Sequence, residues 1–243
     1  MKAAYDLHIH SALSPCADND MTPNNIVNMC ILKGLDVIAV TDHNTCANVR
    51  SLQYCAQKAG LLAIPAMELE TAEEIHVVCL FPDTEAADCF QKLVYQRLPD
   101  MVNRAEIFGE QLLMNEKDEV VGRESRLLLN AASISINEAF DVVNKQLCGL
   151  AIPAHIDRES NSLLASFGVI PKDLDIRCVE ISRRSREDSL TAKNGEIIRF
   201  GRIYSSDAHY LGNINERENF IEIDDLSTKG VIKALRIGCA AGS

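Results

Sequence analysis

Apolar residues recur along this chain with two periods. Over residues 4–10, Tyr5, Leu7 and Ile9 alternate with Asp6, His8 and His10, the two-residue repeat of a strand. Residues 35–40, 61–67, 75–81, 149–154 and 177–181 are short, nearly continuous apolar runs, as expected of strands buried on both faces. Between them the spacing changes to three and four. Thr22-Pro23 predicts an N-cap followed by proline at the first helical position, with Ile26, Met29 and Cys30 at helical spacing and Gly34 closing the helix. Further helices are predicted over residues 47–59, 84–98, 160–167 and 228–237. Ser135-Ile136-Asn137-Glu138 is a capping box that opens another, running to about residue 147. Residues 202–206 and 220–223 complete the strands.

The regularity weakens over residues 82–133. After the helix at 84–98, residues 100–113 are also expected to be helical, and Asn115-Glu116-Lys117-Asp118 is a polar turn suited to a hairpin. This stretch reads as an insertion or cap near the mouth of a site, within a single domain over residues 1–243. Such insertions often carry specificity.

The polar residues at the ends of the apolar runs carry the chemistry. His8 and His10, two apart on a strand, point the same way. Asp18, Asp42, His43, Glu68, His76, His155, Asp207 and His209 each stand at or just past an apolar run, and all six histidines belong to this set. Strand C-termini are where parallel α/β folds place their sites. Imidazole and carboxylate without thiolate suit zinc, manganese or iron at a hydrolytic centre. A carboxylate such as Glu68 can bridge two ions, which points to more than one. Asp42 reads equally as an orienter of a ligand histidine or water and as an N-cap for the segment after Asn44. Arg158, Arg183 and Arg184 follow strand ends and are candidates to clamp a phosphate.

Composition narrows the picture. At 47% hydrophobic residues the chain can fill a core, and no apolar run approaches a membrane span. Met1 leads directly into the first strand, so no signal peptide is expected. Nine cysteines, irregular and without a Cys-x-x-Cys pair, fit small buried hydrophobes in a reducing cytoplasm. Cys16 and Cys46 flank the metal candidates, with structural or incidental roles expected. A net charge of −11 argues against stable binding of duplex nucleic acid but not against a nucleotide substrate. Oligomeric state is not legible.

Taken together, Asp6-Leu7-His8-Ile9-His10, Thr41-Asp42-His43-Asn44, Glu68, His76, Ala154-His155 and Ser206-Asp207-Ala208-His209 resemble the PHP (polymerase and histidinol phosphatase) superfamily over nearly the whole chain. The resemblance implies an α/β fold, a distorted seven-stranded TIM-like (β/α) barrel with a trinuclear metal centre at its C-terminal face. It implies two to three divalent ions, zinc, manganese or iron. His8, His10, Glu68 and Asp207 would hold the first. Glu68 would bridge to a second, completed by His76 and His155. Asp18, His43 and His209 would hold the third, some members having histidine in place of Asp18. The implied reaction is hydrolysis of a phosphate ester by a metal-activated water, with Glu68 and Asp207 at its centre and Asp42 behind. The stretch Ala154-His155-Ile156-Asp157-Arg158 resembles the branch acting on nucleotides and short RNA, in which an arginine near Arg158 contacts phosphate; Arg184 is a second substrate-binding candidate. Expected substrates are a small phosphomonoester, a nucleoside 3′,5′-bisphosphate or a short oligonucleotide. Histidinol phosphate and phosphotyrosine are alternatives within the superfamily. A catalytically silent metal-binding module and a C–N hydrolase are alternatives outside that chemistry.

Overall fold

The computed structural model describes residues 1–237. The chain runs β1 (Lys2–Ile9), α1 (Pro23–Leu32), β2 (Val37–Val40), α2 (Val49–Lys58), β3 (Leu62–Glu70), β4 (His76–Leu80), α3 (Thr84–Arg97), α4 (Ala105–Phe108), β5 (Leu112–Met114), β6 (Val120–Arg123), α5 (Ile136–Phe140), β7 (Leu150–Pro153), α6 (Leu163–Phe167), β8 (Cys178–Glu180), α7 (Glu187–Lys193), β9 (Gly201–Ile203), β10 (Phe220–Glu222) and α8 (Thr228–Ile237).

A mixed six-stranded sheet in the order β10-β1-β2-β3-β4-β7 forms the centre, and β8 and β9 pair in parallel beside it. β1, β2 and β3 are parallel, whereas β4 runs antiparallel to both β3 and β7, and β10 antiparallel to β1. The sheet is therefore mixed, and β3 and β4, consecutive in the chain with no helix between them, form an antiparallel pair. The β8–β9 pair reaches the large sheet at two seams. Ile156 N–H donates to Glu180 O at 2.9 Å after β7, and Ala208 bridges Ile9 beyond β9.

Both faces of the central strands are buried. On β2, Val37 and Ala39 pack with Leu7, Ala66, Val78, Ile203 and with Val231 and Leu235 of α8. Ile38 and Val40 face the other way, against Ile26 and Cys30 of α1 and Leu52 and Cys55 of α2. Burying each such aliphatic side chain contributes about 1.5–3 kcal/mol, so this two-sided packing fixes the register of strands only four or five residues long. Val77 and Cys79 pack against Phe90 and Val94 of α3 and against Ala139 and Val143.

Local signals account for the helix starts. Thr22 Oγ1 accepts from Asn25 N–H, Asp83 from Ala86 N–H, and Ser135 Oγ from Glu138 N–H. The helix expected from Ser135 to about residue 147 is regular only to Phe140; Asp141–Gln146 is a π turn. There Asn144 Oδ1 turns to accept Ala151 N–H at 2.7 Å, tying the widened turn to β7.

Residues 100–113 depart most from expectation. Only α4 is helical; β5 and β6 form a hairpin around the Asn115–Asp118 turn. Long-range bonds override the helical spacing here. Leu112 N–H donates to Ala12 O at 2.8 Å, and Asn48 clasps β5 through Leu112 O and Met114 N–H. Gly109, at φ +101°, packs so closely on Pro15 that a Cβ would lie 2.0 Å from its carbonyl oxygen. The hairpin thus abuts the loops that follow β1 and β2.

Candidate metal centre

Strand direction explains how scattered residues meet. His10 follows β1, Asp42 and His43 follow β2, His155 follows β7, and Asp207 and His209 follow β9, while Glu68 lies near the end of β3. His76 instead starts β4, and because β4 is antiparallel its first residue lies at the same end, with His76 paired to Glu70. His155 and Asp207 sit at φ +26° and +51°, left-handed conformations unusual for these residues and common where function constrains the backbone.

Glu68, 1% exposed, is the hub. Its carboxylate lies 2.9 Å from His43 Nδ1, 2.9 Å from His76 Nδ1, 3.2 Å from His8 Nε2, 3.2 Å from His155 Nε2 and 3.4 Å from His10 Nε2. Asp207 Oδ1 adds contacts to His10 at 3.0 Å and His8 at 3.3 Å. Among the described residues, three sets of donor atoms lie within 4.8 Å of one another: His8, His10 and Asp207; His43, Glu68 and His76; and His10, His43 and His209.

Behind these atoms a buried layer fixes the imidazoles. Glu180 takes the Nδ1–H of His8 at 3.0 Å and the backbone N–H of His155 at 3.1 Å. Ser14 Oγ donates to Asp42 Oδ1 at 2.7 Å, which leaves it to accept His10 Nδ1–H at 2.9 Å. Asp42 is saturated by Ser11 and Ser14 and acts on the cluster through Ser14. Both Nε2 atoms of the His8/His10 pair then face each other 3.2 Å apart, with Glu68 and Asp207 beside them. Two Nε2 acceptors held together, each with its far Nδ1–H donating to a dedicated acceptor, are the arrangement of metal-ligating histidines. Buried His43 Nδ1, Glu68 Oε2 and His155 Nδ1 also lack a hydrogen-bond partner. These residues fit divalent ions.

Charge distribution agrees with that fit. Burial opposes the charge on His8, yet Glu180, Glu68 and Asp207 hold its pKa well above the usual value. His43 is also raised, burial being outweighed by Glu68 and a hydrogen bond to Cys16. Burial and the neighbouring His43 push His10 down to about 3. Burial penalises Glu68, but His76, His8 and His43 hold it well below the carboxylate range. Burial raises the Cys16 thiol, and hydrogen bonds with His209 and His43 more than offset this, bringing it down to about 7.

Thus His8, His10, His43, Glu68, His76, His155, Asp207 and His209 converge. Asp18 does not join the three sets; its Oδ1 accepts Asp20 N–H at 2.8 Å and its own N–H donates to His209 O. Arg158 lies at the rim, 42% exposed, with a guanidinium nitrogen 2.5 Å from Asp207 Oδ2. Arg184 stacks on Tyr204 at 4.5 Å and lines a polar cavity of about 600 Å³ with Ser182, Asn215 and Ser206, the neighbour of Asp207. Sequence reasoning missed Glu180 and Ser14. Glu180 gave a signal, an acid in an otherwise apolar strand; Ser14 gave none.

A mixed α/β fold with a polyhistidine cluster around one buried glutamate defines a class of metal-binding domain. The PHP domain profile matches residues 6–143, and the chain belongs to that family. It is 31% identical over 124 residues to the 5′-3′ exoribonuclease Rnm of Escherichia coli, a match covering 49% of this chain and 40% of that protein. The lesion-specific endonuclease PfuEndoQ of Pyrococcus furiosus superposes over 100% of this chain and 57% of its own, with a TM-score of 0.69 at 20% identity. An endonuclease Q complex with a 27-mer duplex carrying an abasic lesion superposes with a TM-score of 0.68 at 20% identity, covering 100% and 58% of the two chains. The chain thus spans well under two thirds of these proteins.

Proposed function

We propose that the protein is a metal-dependent hydrolase of phosphate esters, acting on a nucleotide or short oligonucleotide. The observation that carries this reading is Glu68, buried and within 3.4 Å of five imidazoles. One carboxylate shared by five imidazoles matches a bridging ligand of a multinuclear centre. On this reading β1, β2, β3, β4, β7, β8 and β9 are the seven staves of a distorted barrel. His8, His10, Glu68 and Asp207 would hold one ion, Glu68, His76 and His155 a second, and His43 and His209 would contribute to a third. Divalent ions bound there would supply Lewis-acid neutralisation of the phosphate and activation of water at neutral pH.

The protein's own groups provide orientation. Glu180 and the Asp42–Ser14 pair hold His8 and His10 with Nε2 facing inward. Arg158, at the rim, presents donors to a substrate phosphate. The polar cavity around Arg184 and Tyr204 has the size and the mix of aromatic face and amide groups that suit a nucleoside. The insertion over residues 82–133, whose hairpin lies against the loops after β1 and β2, acts on this reading as a cap that limits which substrates enter.

The relatives support nucleic acid over histidinol phosphate, since one is named for RNA and the superposed enzyme for lesioned DNA. The net charge of −11 favours a short single strand over a duplex. The test is phosphate or nucleotide release from a panel containing nucleoside 3′,5′-bisphosphates, short RNA, duplex DNA with an abasic site and histidinol phosphate. Chelator-sensitive turnover of bisphosphate or single-stranded RNA is expected. Turnover of histidinol phosphate alone, or of the duplex alone, would contradict the substrate assignment.

A further inference from the structure

Asp42 is the meeting point of two serine bridges, and both serines are polarised the same way. Ser11 Oγ donates to Asp42 Oδ2 at 2.6 Å and accepts Asn48 Nδ2–H at 3.1 Å and Leu13 N–H at 3.3 Å. Ser14 Oγ donates to Asp42 Oδ1 at 2.7 Å and accepts His10 Nδ1–H at 2.9 Å and His43 N–H at 3.2 Å. With Asp42 as the acceptor, both hydroxyl protons point inward, and each serine oxygen is left to accept.

Asn48 carries this line out to the insertion. It stands at the N-cap of α2, yet its side chain makes no capping bond there. Its Oδ1 instead accepts Met114 N–H at 3.0 Å, which fixes the amide so that Nδ2 donates to Leu112 O at 3.0 Å and to Ser11 Oγ. An unbroken chain thus runs from the backbone of β5 through Asn48, Ser11, Asp42 and Ser14 to His10. These five side chains belong to residues no more than 3% exposed. So enclosed, no member has solvent as an alternative partner, and each orientation is set by its neighbour. At the far end His10 offers Nε2 to Asp207 and Glu68, 3.0 and 3.4 Å away.

We propose that Asn48 is a positioning residue that couples the β5–β6 hairpin to the metal ligand His10, so that a loaded centre and an ordered hairpin stabilise one another. The inference rests on the reading of the cluster as a metal centre and of the insertion as its cap. When the hairpin lifts, the Asn48 amide loses both strand partners and turns, Ser11 loses a fixed donor, and the hold on His10 Nδ1–H loosens. By linkage, an ion that requires His10 in one orientation disfavours that opening by the same factor. Metal-free protein would then carry a looser cap than loaded protein.

The test is hydrogen exchange on the whole protein, metal-free and loaded with zinc that has been counted per chain. In wild type, loading should slow exchange across residues 111–123 by about 5- to 150-fold more than across α8, which reports global stabilisation. Ser11→Ala cuts the chain yet keeps both bonds from Asn48 to β5 and the backbone bond from Leu112 N–H to Ala12 O. It should bind zinc and lose most of that difference, whereas a clasp that only holds the strand would leave it unchanged. Asn48→Leu, which keeps the volume and removes the amide, should loosen the hairpin and weaken zinc binding together, by roughly fivefold or more. Should that variant not fold, Ser11→Ala decides by itself. Equal exchange of the hairpin with and without zinc, or an undiminished difference in Ser11→Ala, would overturn the coupling and leave the metal centre in place. Absence of bound zinc in wild type would overturn the metal-centre reading and the coupling with it.

Discussion

Replacing Glu68 by glutamine removes one charge and almost no volume. The side chain is 1% exposed and faces five imidazoles between 2.9 and 3.4 Å away, so no other contact changes by design. Its carboxyl is held well below the ordinary range, burial being outweighed by His76, His8 and His43, so the charge is present at any working pH. Breaking a buried, hydrogen-bonded charge pair costs about 3–5 kcal/mol. If that loss falls on the bound ions, affinity drops by roughly a hundred- to several thousandfold. Glu68→Gln is therefore expected to emerge from dialysis with at least one ion fewer per chain and with turnover falling in parallel. Metal counting, followed by activity at saturating added metal, separates occupancy from chemistry. Full metal content at unchanged affinity, with normal turnover, would refute the bridging role and the reasoning that made Glu68 the hub.

Glu180→Gln, which removes the charge and puts an amide NH2 where Oε2 lies 3.1 Å from His8 Nδ1, should weaken metal binding by about ten- to a hundredfold without unfolding the protein; calorimetric titration against Ser14→Ala, which removes the acceptor of His10 Nδ1–H, checks this. Arg158→Ala should raise KM for phosphorylated substrates by about 10- to 150-fold, the equivalent of a charge-assisted hydrogen bond, and leave metal content unchanged. A fall in metal content instead would make the 2.5 Å contact to Asp207 the residue's role. In the metal-free protein carboxylates hold His8 and His43 raised, hence protonated near neutrality, so metal binding should release protons and tighten as pH rises; calorimetry in buffers of different ionisation enthalpy would detect this, and identical heats would count against it. Because ions bind the folded cluster and not the unfolded chain, chelation should lower Tm, by an amount that grows with the free metal concentration used for comparison.

Much of the site was legible because it is built at strand ends. The alternation over residues 4–10 and the apolar runs after it were enough to say which histidines and acids would reach one end of a sheet. They could not give strand direction. His76 stands at the start of its run rather than the end, and only the antiparallel course of β4 brings it to Glu68. Residues 100–113 carry helical spacing, yet their backbone bonds go to Ala12 and Asn48, partners that local propensity cannot see. The same blindness hid the orienting layer. Glu180 reaches His8 across 172 positions, and Ser14 works by joining Asp42 to His10. Asp18 lies in a loop where periodicity encodes no side-chain direction, and its Oδ1 turns to Asp20 N–H instead of joining the three donor sets.

The most direct test of the central claim joins two numbers from one preparation: divalent ions counted per chain, and chelator-sensitive phosphate release from nucleoside 3′,5′-bisphosphate or short RNA by that same protein. Two or three ions per chain with turnover that chelation abolishes and metal restores is the predicted result. Full occupancy with no hydrolysis of any phosphate ester, or hydrolysis that persists in fully metal-depleted protein, would contradict it.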